Sequence, residues 1–230
     1  EADFPRKKEN LLSTEITTHN HALLERFNTR QIFPFVVVLD KDLIGQVWED
    51  RPSLPSTPIF EHDVKYAGKS SAEKLAEIRA EMTADYYLVT ALDEIAWAFN
   101  LRGSDVDCNP VFYAFAIIDH DSAWIFMDID KAPEDLASKL YKERIYLKPY
   151  DFAEAVLGSL EEDKTVQFDR GTTNILLHNA IQEGNAKAEK NIIQALKAIK
   201  NETEIKNIRN AMIKDAVALT RLFRWLEKTV

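Results

Sequence analysis

The stretch TALDEIAWAFNLRGSDVDCNPVFYAFAII, residues 90–118, decides the fold, because it joins an amphipathic helix, a polar turn and an apolar strand. Glu94 falls in the first turn of that helix, where the positive end of the helix dipole favours an acid. Asn100 and Gly103 are typical residues for ending a helix. The run Val111 to Ile118 predicts a strand that is buried on both faces. Apolar residues at helical spacing form the inner face of the helix: Ala91, Ile95, Ala98 and Phe99.

The turn between helix and strand carries a charged cluster of Arg102, Asp105 and Asp107. Asp105 is near enough in sequence to orient the guanidinium of Arg102. Corners of this kind often hold an ion pair with only a structural role, and polar loop residues on a rigid scaffold also often carry function. From these residues alone, both interpretations of the turn are open.

The composition is that of an ordinary globular protein with an acidic surface. The chain has 230 residues, of which 46% are hydrophobic, with 29 basic and 38 acidic residues and a net charge of -9. Because no block of Lys and Arg stands out, we expect neither nucleic acid nor an anionic membrane as a partner. The longest apolar runs, Ile32 to Leu39 and Val111 to Ile118, are too short to span a bilayer. The charged amino terminus lacks a signal-peptide core, which predicts a cytoplasmic protein.

A single cysteine, Cys108, cannot form an internal disulfide, and this fits a reducing compartment. No histidine lies near it in the sequence to activate the thiol, so we expect a small turn residue and no nucleophile.

The remaining pattern alternates helices and strands, which predicts a layered α/β domain with a mixed sheet. Pro52, Pro55 and Pro58 mark a stiff linker before it. Very few turn residues precede the strand at Tyr86, so we expect residues to be missing near Thr83. The other predicted elements are helices at Ser71–Met82, Pro133–Leu140 and Phe152–Leu160, and strands at Tyr86–Thr90, Ala123–Ile129, Ile145–Lys148, Thr165–Asp169 and Thr173–His178. The strands ending at Ile118 and starting at Ala123 predict a hairpin.

The carboxyl end predicts a long amphipathic helix. Asn201 is a good N-cap and Glu204 follows three residues later, which is the spacing of a capping box. Ile213, Val217 and Trp225 widen the apolar stripe, so we expect the helix to dock on its own domain or on a second copy of the chain. The stripe itself consists of Ile205, Ile208, Met212, Ala216, Leu219, Phe223 and Leu226.

Two groups of residues contain metal-ligand types. Asp119, His120 and Asp121, with two further acids at Asp128 and Asp130, supply oxygen and imidazole donors. Turns also collect these residues, and alternate strand residues point to opposite faces, so we expect no metal site there.

The second group, His19 and His21, has no identifiable third ligand. No GxGxxG, Walker or GxSxG pattern is present.

The signature stretch resembles the middle domain of the large aminopeptidase P enzymes, the Xaa-Pro aminopeptidases, in which a run like LDEIAW, NLRGSD and NPVF recurs as a block. Together the similar segments cover most of residues 44–230, whereas residues 1–40 match poorly. Three further segments are similar to that family: VWEDRPSLP at Val47–Pro55, YAGKSSAEKLAEIR at Tyr66–Arg79, and ALKAIKNETEIKNIRNAMIKDAVALTRLFRWLEK at Ala195–Lys228.

The resemblance implies an α/β fold of the creatinase amino-terminal type, with a mixed sheet flanked by helices and a long C-terminal helix. It also implies three parts. Residues 1–58 would be the remnant of a preceding domain and a proline-rich linker, residues 59–200 the creatinase N-terminal-like domain, and residues 201–230 the first helix of a catalytic domain.

The activity that the resemblance implies for the parent protein is hydrolysis of the bond before a penultimate proline. In that family, two Asp, one His and two Glu of a later domain hold two divalent metals, usually manganese, and a metal-bridged hydroxide attacks the scissile carbonyl. No segment of this chain supplies those ligands. We therefore expect a non-catalytic portion of a metallopeptidase that contains no catalytic residue, metal or cofactor of its own and is inactive alone.

Non-catalytic domains of this family lean toward the active site, so Arg102, Asp105 and Trp97 are the residues that we expect nearest to the substrate. The expected partners of the parent are a peptide with a penultimate proline and a second copy in a homodimer. Two other functions are open. One is a stand-alone interaction or dimerisation module without peptidase activity, and the weaker one is a nuclease that uses the Asp119–Asp121 cluster.

Overall fold

The computed structural model of the chain describes residues 11–15, 35–39 and 47–229. His19 and His21, and most of the predicted remnant before the linker, lie outside the described residues. The strands are β1 Leu11–Glu15, β2 Phe35–Leu39, β3 Phe60–Glu61, β4 Tyr86–Val89, β5 Leu101–Arg102, β6 Phe115–Ile118, β7 Ala123–Met127, β8 Ile145–Pro149, β9 Val166–Phe168 and β10 Ala186–Ala188. The helices are α1 Val64–Ala67, α2 Ser71–Glu81, α3 Leu92–Ala98, α4 Glu134–Lys142, α5 Phe152–Gly158, α6 Ile175–Ala180, α7 Ile192–Ala198 and α8 Glu202–Thr229.

A six-stranded mixed sheet in the order β10-β9-β4-β6-β7-β8 forms the centre of the domain. The β6 and β7 strands form the predicted antiparallel hairpin, with Ile118 opposite Ala123. The β9 strand is parallel to both β10 and β4, and β8 is parallel to β7. Elsewhere, β1 pairs with β2 in parallel, and the short β3 pairs with β5 in antiparallel orientation.

Alternating strand residues divide the core into two layers. On one face, Tyr87 and Val89 of β4 pack with residues of α2, α3, α4 and α7. On the other face, Leu88 packs with residues of α5 and α6. Burying each large apolar side chain contributes about 1.5–3 kcal/mol, so both layers are needed to hold the sheet. The predicted α/β fold with a mixed sheet flanked by helices is confirmed.

Capping side chains set where several helices begin. Ser70 and Glu73 form a reciprocal capping box at the start of α2. The predicted capping box of α8 is confirmed, because the Asn201 side chain accepts the Glu204 amide at 2.9 Å and the Glu204 carboxylate accepts the Asn201 amide at 2.9 Å. Gly68 ends α1 with a φ of 75°, a conformation that glycine adopts without steric cost.

Several predicted elements differ from the structure. The segment Thr173–His178 is helical at its end, not a strand, because the Asn174 side chain accepts the Leu177 amide and starts α6. The strand predicted over Val111–Ile118 covers only Phe115–Ile118. Buried residues precede it without ladder bonds, since the Val111 carbonyl bonds instead to the Asp105 amide of the turn.

The connection between α2 and β4 consists of four residues, from Met82 to Asp85. Thr83 and Asp85 bond to side chains at Gln167 and Thr165, which closes this connection against β9. Four residues lie within the usual length of a helix-to-strand loop, so the structure gives no support for missing residues near Thr83.

The long helix α8 contacts the domain through its first turns. Asn201 and Asn207 donate to the carbonyls of Ala67 and Tyr66 in α1, at 2.8 and 3.1 Å. Beyond these turns its large apolar side chains, from Met212 to Leu226, are 37–64% exposed. Of the two expected docking surfaces, its own domain therefore covers only the first turns of the helix, and docking on a second copy stays a prediction. Within the described residues, no helix is both long and apolar enough to cross a bilayer.

Candidate functional site

The backbone turn after α3 places Arg102 at the edge of a groove. The helix ends at Ala98, and Asn100 then adopts a φ of 51°, which asparagine tolerates better than most residues. This turn leads Leu101 and Arg102 into β5, where Arg102 lies opposite Phe60 of β3. The side chain of Arg102 thus starts from a backbone that is held on both sides.

Backbone carbonyls fix one half of the Arg102 guanidinium. Its Nη1 donates to the Ala96 carbonyl at 2.6 Å and to the Leu101 carbonyl at 2.8 Å. Its Nε and Nη2 atoms have no hydrogen-bond partner among the described residues. Burial lowers the pKa of Arg102 from its ordinary value, but arginine stays charged in proteins. The group is therefore a positioned cation with free donors.

The predicted pairing of Asp105 with Arg102 is wrong. Asp105 is buried and forms an ion pair with Lys131, which is also buried. The same carboxylate accepts the Tyr113 amide at 2.7 Å, so it holds the far side of the turn. Asp107 is exposed and makes no ion pair within the described part of the chain. The cluster seen in the sequence thus separates into a groove-facing Arg102 and an inward-facing Asp105.

Trp97 forms one wall of the groove above a buried lysine. The Lys74 ammonium lies 4.3 Å from the centre of the indole and donates to the Trp97 carbonyl and to the Asn100 side chain. Burial lowers the pKa of Lys74 to about 8. The indole Nε1 donates to Glu204 of α8 at 3.3 Å, so Trp97 also connects this wall to α8.

The groove itself lies between α1, α3, β5 and the first turns of α8, with a volume of about 390 Å³. It brings together Trp97 and Arg102, two of the three residues expected nearest to the substrate, whereas Asp105 lies outside its lining. Burial is the main cause that lowers the pKa of His62, and Arg102 and Lys74 lower it further. The residues that give the groove its chemistry are His62, Tyr66, Trp97, Arg102, Lys200 and Glu204.

The acidic group at Asp119 serves the hairpin turn. Its carboxylate accepts the amides of Asp121 and Ser122. The Asp128 carboxylate accepts the Asp130 amide at 3.2 Å. Among residues 47–229, no group of three or more His, Cys, Asp or Glu side chains is arranged to hold a metal ion.

Sequence reasoning missed a second polar centre at the start of α7. The Asn191 amide nitrogen donates to Glu94 at 2.7 Å and to Asp169 at 3.0 Å, and its oxygen accepts the Tyr87 hydroxyl at 3.2 Å. Glu94 was expected as a helix-dipole acid, but it is only 6% exposed, and burial raises its pKa to about 7. The available signal was Asn191 itself, which caps α7.

Comparison with known proteins gives consistent matches over most of this chain. The model of the creatinase/prolidase N-terminal domain matches residues 50–204. A probable Xaa-Pro aminopeptidase P of Laccaria bicolor is 39% identical over 214 residues, which are 87% of this chain and 33% of that protein. Xaa-Pro aminopeptidase 1 of Dictyostelium discoideum is 40% identical over 186 residues, which are 79% of this chain and 29% of that protein. The chain thus spans about a third of the length of these curated relatives.

A solved structure shares the fold. The X-prolyl aminopeptidase of Caenorhabditis elegans, described as a cytosolic enzyme with a di-nuclear active site, superimposes with a TM-score of 0.87 at 24% identity. The match covers 97% of this chain and 38% of that one.

Proposed function

This chain belongs to the creatinase/prolidase N-terminal domain family, and we propose that it is the non-catalytic portion of a metal-dependent Xaa-Pro aminopeptidase. The observation that carries the proposal is the asymmetry of the matches, which cover 79–87% of this chain but 29–33% of relatives named for that activity. In the proposal, the parent is a cytoplasmic hydrolase that cleaves the bond before a penultimate proline, and residues 201–230 begin its catalytic domain.

The two divalent metals of the parent, manganese in this proposal, belong to that other domain. The described residues of this chain do not fit them, because among these residues no group of three or more His, Cys, Asp or Glu is arranged to hold a metal ion. The contribution of this chain is therefore to bind and orient. In the proposal, Arg102 and Trp97 face the substrate. Asp105 supports them by fixing the turn between α3 and β6 through its ion pair with Lys131.

The exposed apolar face of α8 supports the proposal that another protein surface covers this helix. Its apolar side chains from Met212 to Leu226 remain at least one-third exposed, although each would gain about 1.5–3 kcal/mol on burial. In the proposal, the catalytic domain covers this face. The same exposure favours the second candidate, a stand-alone dimerisation module, in which a second copy covers it.

One comparison of two proteins tests the proposal. The chain 1–230 and the full-length protein that contains it are purified, loaded with manganese and assayed on a peptide with proline in second position. We expect hydrolysis by the full-length protein alone, and metal analysis after dialysis should find the chain 1–230 essentially metal-free. Hydrolysis by the chain alone would refute the proposal. An inactive full-length protein, together with a chain that is dimeric by light scattering, would favour the module.

A further inference from the structure

We propose that the groove at Arg102 binds a carboxylate, and that this carboxylate is the free carboxyl terminus of a short peptide substrate. The inference rests on the proposed function and adds a substrate class to it, namely short peptides with an unmodified terminus. It starts from the geometry of Arg102. Nη1 is held by two carbonyls, which leaves Nε and Nη2 as a fork of adjacent donors without partners among the described residues. This fork matches the two oxygens of a carboxylate.

The charges around the fork are unbalanced in favour of an anion. Glu204 is the one acidic residue among the described residues that line the groove, and each of its carboxylate oxygens already accepts a hydrogen bond. One accepts the Asn201 amide and the other accepts the Trp97 indole. Burial lowers the pKa of Arg102 and the charge of Glu204 raises it, but Glu204 forms no ion pair with Arg102 among the described residues. Two lysines also line the groove: Lys197, which pairs with Asp93, and Lys200, which donates to the Lys197 carbonyl at 2.7 Å. A carboxylate would supply the missing negative charge.

The walls of the groove suit the last residue of a peptide. Trp97 and Ile208 supply apolar surface, and Tyr66 stacks on His62 with ring centres 5.9 Å apart. A volume of about 390 Å³ lies within the range of sites that bind small molecules. The last residue of a peptide carries both a carboxylate and a side chain. The guanidinium suits its carboxylate, and the apolar wall beside it suits its side chain.

The first arm of the test measures binding to the chain 1–230. Titration with N-acetyl-proline and N-acetyl-prolinamide, followed by NMR or calorimetry, separates the carboxylate from its neutral amide. We expect the acid to bind tenfold to a hundredfold more tightly, since hydrogen bonds to a charged group are strong. Arg102→Gln should remove this preference, whereas Arg209→Gln, a matched change on the exposed part of α8, should keep it.

Equal binding of acid and amide would overturn the inference, as would an unchanged preference in Arg102→Gln. Tighter binding of inorganic phosphate than of N-acetyl-proline would also overturn it, because the groove would then be a phosphate site. Arg102→Lys keeps the charge without the fork and should give an intermediate affinity.

The second arm compares hydrolysis of a tripeptide and its carboxamide by the full-length protein. We expect a tenfold to hundredfold higher kcat/KM for the free acid, and loss of that ratio in Arg102→Gln. Equal rates for both substrates would refute the inference while leaving the proposed function intact. If neither substrate is cleaved, the proposed function fails and the binding arm alone decides the inference.

Discussion

The Asp105–Lys131 pair is buried and the Glu94–Asn191–Asp169 cluster is part-buried around a buried Glu94, and the two balance charge in opposite ways. Under the Arg102 turn, a carboxylate meets an ammonium directly. At the start of α7, two carboxylates share one neutral amide, at 2.7 and 3.0 Å from its nitrogen. The first centre is therefore held by charge pairing. The second lacks a buried cation and becomes less favourable when Glu94 ionises, so the two should respond differently to mutation and to pH.

Removing one member of the Asp105–Lys131 pair should have the largest effect. Asp105→Ala leaves the Lys131 ammonium buried without its partner, and the Tyr113 amide loses its acceptor. Breaking a buried pair in this way costs about 3–5 kcal/mol in the free energy of unfolding. Urea unfolding measures the loss. It should be far larger than for Asp107→Ala, which removes an exposed acid from the same turn.

Neutralising both members tests whether pairing is the cause. Replacing a buried pair by apolar residues is often neutral or stabilising, so Asp105→Leu combined with Lys131→Met should recover most of the lost stability. If Asp105→Ala unfolds at the same urea concentration as Asp107→Ala, charge pairing does not distinguish this centre.

The Glu94 cluster should instead make stability depend on pH. The folded pKa of Glu94, about 7, lies above its ordinary value of 4.5. A raised pKa means that the folded state binds the proton more tightly, so the contribution is fully present below pH 4.5 and is lost as pH rises through 7. At about 1.4 kcal/mol per unit, the loss approaches about 3 kcal/mol by pH 8.

Glu94→Gln mimics the protonated side chain and should remove that part of the slope, raising stability at pH 8 with little change at pH 4. Urea unfolding at several pH values measures it, with the exposed Glu183→Gln as the matched control. The groups that face Glu94 are Asp93, Asp169 and Lys197, and all of them stay unchanged in the variant. A slope between pH 5 and pH 8 that is the same in the variant as in the unmodified chain would contradict this account.

The sequence predicted those features that depend on neighbours along the chain. The α8 capping box requires Asn201 and Glu204 at a spacing of three, and the β6–β7 hairpin requires two apolar runs around a polar turn. The strand predicted at Thr173–His178 was wrong for a local reason. β-branched residues favour strands, but the side-chain cap at Asn174 starts a helix.

The partners of the charged turn could not be predicted in this way. Lys131 lies 26 residues from Asp105, and nothing in the local pattern relates them. Arg102 bonds to carbonyls, which every residue possesses, so its sequence neighbours Asp105 and Asp107 were the misleading choice. For the site, the sequence indicated that Trp97 and Arg102 lie on adjoining elements. The hydrogen bond from Trp97 to Glu204 of α8 depends on a fold that joins residues 107 positions apart.

A more exposed polar centre, the α8 capping box, should give the smallest effect and so sharpen the role of burial. Asn201→Ala removes the acceptor for the Glu204 amide and the donor to the Ala67 carbonyl, two hydrogen bonds that are only part-buried. Loss of a cap costs about 1 kcal/mol, well below the expected loss at Asp105. Thermal unfolding should place this variant between Glu202→Ala, an exposed first-turn change with little effect, and Asp105→Ala. If Asn201→Ala destabilises the chain as much as Asp105→Ala, attachment of α8 to the domain matters as much as any buried charge, and burial is not what ranks these centres.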